Sequence, residues 1–146
     1  MLPKASQRVD EVVRLGNVIA REYEQEYVGT EHILLAILRE GTGIGCKVLT
    51  DRGITEKKAR AEVDKLVMDS LEETWVFGRL PGTPHFKNVI SGAIDQSQKI
   101  KAKEVCTEHV LLSLLKEKGC IAQKALTALG ATYDAVRADV LALASQ

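Results

Sequence analysis

Neither sign of charge predominates in this chain: Lys and Arg number 20, Asp and Glu 20, and the formal net charge at pH 7 is +0. That balance argues against nucleic acid, an anionic membrane or a strongly acidic substrate as the default partner. Although 45% of the residues are hydrophobic, no run approaches the roughly 20 apolar residues of a membrane helix. The opening MLPKASQR has neither the basic flank nor the apolar centre of a signal peptide, so a cytoplasmic location is expected. The cysteines Cys46, Cys106 and Cys120 are odd in number and do not fall at matching places in the internal repeat described below. A disulfide framework is therefore not expected, and a reducing compartment fits. Alternation with period two is missing, which argues against strands. No serine or cysteine stands in a nucleophile elbow, and His32, His85 and His109 have no orienting partners by sequence. The reading is of a protein that is not an enzyme on its own residues.

What the chain does have is a duplication. TEHILLAILRE, from residue 30, returns as TEHVLLSLLKE from residue 107, and residues 28–63 overlie 105–140 without a gap, with about half of the aligned positions identical. The pairing extends back through the preceding helix, where Ser6 falls opposite Thr83 and Arg8 opposite His85. Each copy reads as four helices. Val9, Val12, Val13, Gly16, Ile19, Ala20 and Tyr23 form one stripe at helical spacing behind a capping Ser6; Phe86, Val89, Ile90, Ala93 and Ile100 form its counterpart behind Thr83 and Pro84. The helices opening at Thr30 and Thr107 are short and heavily apolar, and should be the central elements. A third pair, from Ile44 and from Ile121, should close at Gly53 and Gly130. The fourth pair starts at the capping residues Thr55 and Thr132. The expected architecture is all-α: two pseudo-symmetric four-helix repeats, about eight helices, with the first repeat at 1–70, a linker at 71–83 and the second repeat at 84–146. The linker holds the only tryptophan, Trp75, expected to pack across the halves.

Two short patterns invite a chemical reading. GTGIGCK, from residue 41, has the glycines and lysine of a phosphate-cradling loop, but Cys46 precedes Lys47 and Val48 follows it, where that loop needs glycine and then a hydroxyl. It reads as a turn between helices, without an ATP site. The Thr-Glu-His triplets admit a structural reading, with threonine as cap, glutamate at the positive end of the helix dipole and histidine bonded to a neighbour. They also admit a chemical one, a small ligand- or metal-binding domain centred on His32 and His109. A metal set of Cys106, His109 and Cys120 has Gly29 opposite Cys106 and no evident fourth ligand.

The capped first helix, then Tyr27-Val28-Gly29-Thr30-Glu31-His32-Ile33-Leu34-Leu35, then Arg39-Glu40-Gly41-Thr42-Gly43, and the whole repeated once, closely resembles the Clp N domain. That double repeat begins the ClpA, ClpB and ClpC type AAA+ unfoldases, and the resemblance is nearest to ClpC. It implies a domain that receives substrate proteins and adaptor proteins, tethered in a full-length parent to modules that bind ATP and magnesium and feed a ClpP-type peptidase. Those modules are not in this sequence; a stand-alone Clp-repeat accessory protein is the alternative. The resemblance further implies two equivalent phosphoarginine pockets, each built on the hydroxyl opening the first helix and the glutamate of Gly-Thr-Glu-His: Ser6 with Glu31, and Thr83 with Glu108. The family usually has phenylalanine before that hydroxyl, where this chain has Ala5 and Gly82.

Overall fold

The computed structural model describes residues 4–24, 28–74 and 84–144. In chain order these form β1 (Lys4–Ala5), α1 (Gln7–Glu22), α2 (Thr30–Glu40), α3 (Ile44–Asp51), α4 (Glu56–Thr74), α5 (Pro84–Lys99), β2 (Glu104–Val105), α6 (Thr107–Lys116), α7 (Ile121–Ala128) and α8 (Tyr133–Ala144). The fold is all-α, four helices to each copy, as the repeat predicts. The two strands are two residues each and pair in parallel, Lys4 with Glu104 and Ala5 with Val105. They tie the lead-in of α1 to the lead-in of α6.

Local chemistry sets the helix ends. The Ser6 hydroxyl accepts the Val9 N–H at 3.2 Å; Thr55 does the same for Lys58 at 3.2 Å and Thr132 for Ala135 at 3.4 Å, each meeting one of the donors a helix start leaves unpaired. Gly53 and Gly130 close α3 and α7 at φ +79° and +89°. Just beyond them the N–H groups of Ile54 and Ala131 reach back to the Leu49 and Leu126 carbonyls. α4 continues as helix through Thr74, into the stretch expected as linker. Trp75 and Thr83 lie outside the described residues, so the expected packing of one and capping role of the other are not addressed.

The central position of α2 and α6 follows from their composition. Every residue from Thr30 to Leu38 and from Thr107 to Leu115 is buried, and one apolar cluster runs through both copies, with Leu34, Leu35 and Ile37 on one side and Leu111, Leu112 and Leu114 on the other fully enclosed. The stripe of α1 lies on α2 and that of α5 on α6; α3 packs on α6 as α7 packs on α2, and α4 on α7 as α8 on α3. The copies are therefore interlocked, since each completes its neighbour's packing as well as its own. Charge adds to this at the surface of the first copy. Arg39 on α2 bonds Glu22 of α1 and Glu56 of α4, at 2.8 Å each, while Arg52 reaches Asp139 in the other copy at 2.7 Å. None of the helices, among the described residues, is long and apolar enough to cross a membrane.

Candidate functional site

Each member of the Thr-Glu-His triplets has its own place. Nδ1 of His32 accepts the N–H of Gly29, and Nδ1 of His109 that of Cys106, both at 2.8 Å. The imidazole thus does what a glutamate or glutamine does at the third position of a capping box. The bond requires an unprotonated Nδ1, and burial pushes His109 below the ordinary histidine range. With that nitrogen engaged, the histidines are structural at this atom. Among the described residues no group of three or more His, Cys, Asp or Glu is placed to hold a metal.

Threonine does not cap its own helix, as the sequence reading expected. Gly29 and Cys106 are the cap residues, and Thr30 and Thr107 are already helical. Their hydroxyls act across the molecule instead: Thr107 accepts the N–H of Gly45 at the start of α3, at 3.2 Å, and Thr30 accepts that of Ala122 at the start of α7, at 3.3 Å. The glycines of GTGIG are explained by this contact. A Cβ on Gly43 would lie 2.2 Å from the Thr107 hydroxyl, and one on Gly45 3.0 Å from the Thr107 carbonyl oxygen. The pattern is the turn between α2 and α3, as expected, and the structure adds that it lies close against the start of α6.

The glutamates occupy matching helix starts and are buried, Glu31 at 3% and Glu108 at 7% exposure. Burial raises the Glu108 carboxyl above the ordinary range, against a hydrogen bond to backbone N–H and the nearby Arg8 guanidinium, which both lower it. The pairing of Ser6 with Glu31 inside one copy is not what the fold forms. α1 has 16 residues and is about 24 Å long; Ser6 caps its start, whereas Glu31 acts on Tyr23 at its end. That phenol is pushed up by burial first, then by its bond to Asp64, with the Glu31 charge adding to it, and its ring lies 5.7 Å from that of His32.

Ser6 belongs instead with the second copy. Its N–H donates to the Val105 carbonyl at 2.9 Å, and two residues on, Arg8 attracts Glu108. A surface concavity of about 470 Å3 opens here, lined by Ser6, Gln7, Arg8 and Glu104. It brings together a helix start, a hydroxyl, a guanidinium and a carboxylate, and Arg8 on its wall also attracts the buried Glu108. By the repeat, Glu31 is due to meet the region of Thr83 and His85, of which His85 is described: it bonds Glu117 at 2.7 Å. Arg8 and Glu104 were not singled out from the sequence as site residues, and Cys106 was weighed there only as a metal ligand. The contrast of Gly29 with Cys106 was visible there, but the neighbours that give it meaning come from the other copy.

The family described as "Clp repeat (R) N-terminal domain" matches residues 4–74 and 81–146. An ATP-dependent Clp protease ATP-binding subunit ClpA homolog of Cyanidium caldarium is 36% identical over 141 residues, covering 97% of this chain and 16% of the relative. Chaperone protein ClpC1, chloroplastic, of Oryza sativa is 33% identical over 146 residues, covering 100% of this chain and again 16% of the relative. This chain thus spans about a sixth of the length of these relatives. Among solved structures, the N-terminal domain of the chaperone ClpD from Arabidopsis thaliana superimposes with a TM-score of 0.78 at 20% identity, over 98% of this chain and 96% of that one. The Hsp104 N-terminal domain from Candida albicans does so with a TM-score of 0.72 at 13% identity, over 96% and 91%. Two copies in register, a shared interlocked core and matches over both repeats lead to one conclusion: this chain belongs to the Clp repeat N-terminal domain family, as found in ClpA- and ClpC-type proteins.

Proposed function

We propose that the chain is the receiving domain of a ClpC-type ATP-dependent unfoldase, docking substrate and adaptor proteins, and that it reads phosphoarginine at pockets shared between its two copies. ATP and magnesium would be bound by modules outside these residues, which would hand the unfolded substrate to a ClpP-type peptidase. The observation that carries the reading is the concavity between Ser6 and the lead-in of α6. Its donors suit a phosphoryl group: the start of α1 and Arg8. Its acceptors suit a guanidinium: Glu104 at the wall and Glu108 behind it, each able to take N–H donors by charge-assisted bonds. Glu31 and Thr83 are assigned to the second pocket by the repeat.

Calorimetric titration with phosphoarginine tests this. About two sites per chain are expected, and Glu31→Gln combined with Glu108→Gln, which keeps shape and removes charge, should abolish the heat while the far-UV circular dichroism is unchanged. Retained binding in that double variant would remove the carboxylates from recognition. A pH series adds a second check. The ligand's cation prefers an ionised Glu108, so affinity at this pocket should fall as pH drops through the raised value of that carboxyl, earlier than an ordinary glutamate would dictate.

A further inference from the structure

Gly29 and Cys106 hold the same backbone position in the two copies, with φ −109° and ψ 176° at one and φ −111° and ψ 174° at the other. Each donates its N–H to the following histidine at 2.8 Å. The frames are equal, and the copies differ at this point by one CH2–SH group. In the second copy that group lies beside the lead-in of α1, where Ser6 donates its N–H to the carbonyl of the preceding Val105 at 2.9 Å. The thiol donates to the Glu104 carbonyl at 3.8 Å. Both neighbours, Ser6 and Glu104, line the concavity.

We propose that Cys106 is a specificity-determining residue that makes the two pockets unequal, taking up part of the space a phosphorylated guanidinium would use. The inference rests on the pocket reading above and adds to it that the Ser6–Glu108 pocket binds more weakly than it would with glycine in that place. The thiol acts by volume, not by charge. Burial first, then the carboxylates Glu108 and Glu104, push it above the ordinary thiol range, so it stays neutral. Of the three cysteines it is the one not fully buried.

Cys106→Gly tests this without threatening the fold, because Gly29 shows the same cap built with glycine. In a Glu31→Gln background, which leaves the Ser6 pocket as the charged one, Cys106→Gly should tighten phosphoarginine binding about fivefold, the lower end of what relieving a steric overlap is worth. In a Glu108→Gln background the same change should have no comparable effect. A merely structural role would move both backgrounds alike. Equal or weaker binding after Cys106→Gly in the first background, with the parent still binding, overturns the role of Cys106 and leaves the pocket reading standing. A parent that takes up no phosphoarginine overturns both.

Discussion

His109 shows how a motif that looks chemical can be settled by one hydrogen bond. Its Nδ1 receives the part-buried N–H of Cys106 at the start of α6, and removing the imidazole takes that bond away. His109→Ala is expected to cost about 1–2 kcal/mol in urea denaturation at pH 7.5. The sign of its pH dependence follows from the direction of the shift. The folded-state value lies below the ordinary 6.5, so the contribution is present above pH 6.5 and is lost as pH falls through the depressed value. The gap between parent and variant should therefore narrow toward pH 5; a gap that holds constant would mean the ring is not kept neutral. Glu108 sits one residue earlier with the opposite shift, since burial disfavours the charged form of either group, and a carboxyl is charged without its proton whereas an imidazole is charged with it. Sequence alone identified the triplet as a helix start and left structural and chemical readings of the histidine open. The deciding fact was which atom faces the cap, and that depends on a ring orientation no spacing encodes.

Helix ends were legible where they are local. Ser6, Thr55 and Thr132 cap within three residues of themselves, and Gly53 and Gly130 take a left-handed conformation that glycine adopts at least cost. The starts of α3 and α7, at Ile44 and Ile121, were legible as well; what was not legible is that Thr107 and Thr30, from the other copy, accept N–H groups of their first turns. The borrowing gives a test that ordinary capping would fail. Thr107→Val should cost about 1–3 kcal/mol, the penalty of leaving a buried N–H unsatisfied, and hydrogen exchange should speed up at the first amides of α3, around Gly45, more than in α6 where the substitution lies. Faster exchange confined to α6 would return Thr107 to the role of a cap on its own helix. Cys120 caps α7 from within the second copy, its sulfur accepting the Gln123 N–H at 3.3 Å.

Taken together, the two repeats make one folding unit. The apolar cluster is continuous, α3 and α7 depend on caps from across the interface, and β1 pairs with β2 rather than with anything in its own copy. A fragment of residues 1–74 is expected to lack a cooperative thermal transition, while the full chain unfolds in a single one by both near- and far-UV circular dichroism. A fragment that melts cooperatively by itself would show the copies to be separate domains. By itself the sequence determined that there are two copies, that each is four helices, which faces are apolar and roughly where the helices end, because periodicity, caps and closing glycines act over one or two turns. Only the tertiary structure decided that Ser6 meets Cys106 and the neighbourhood of Glu108 instead of Glu31, and that each threonine serves the opposite repeat. Those partners lie far apart along the chain and are brought together by the burial of two apolar faces against each other, a global packing event whose register the local pattern of either copy does not contain.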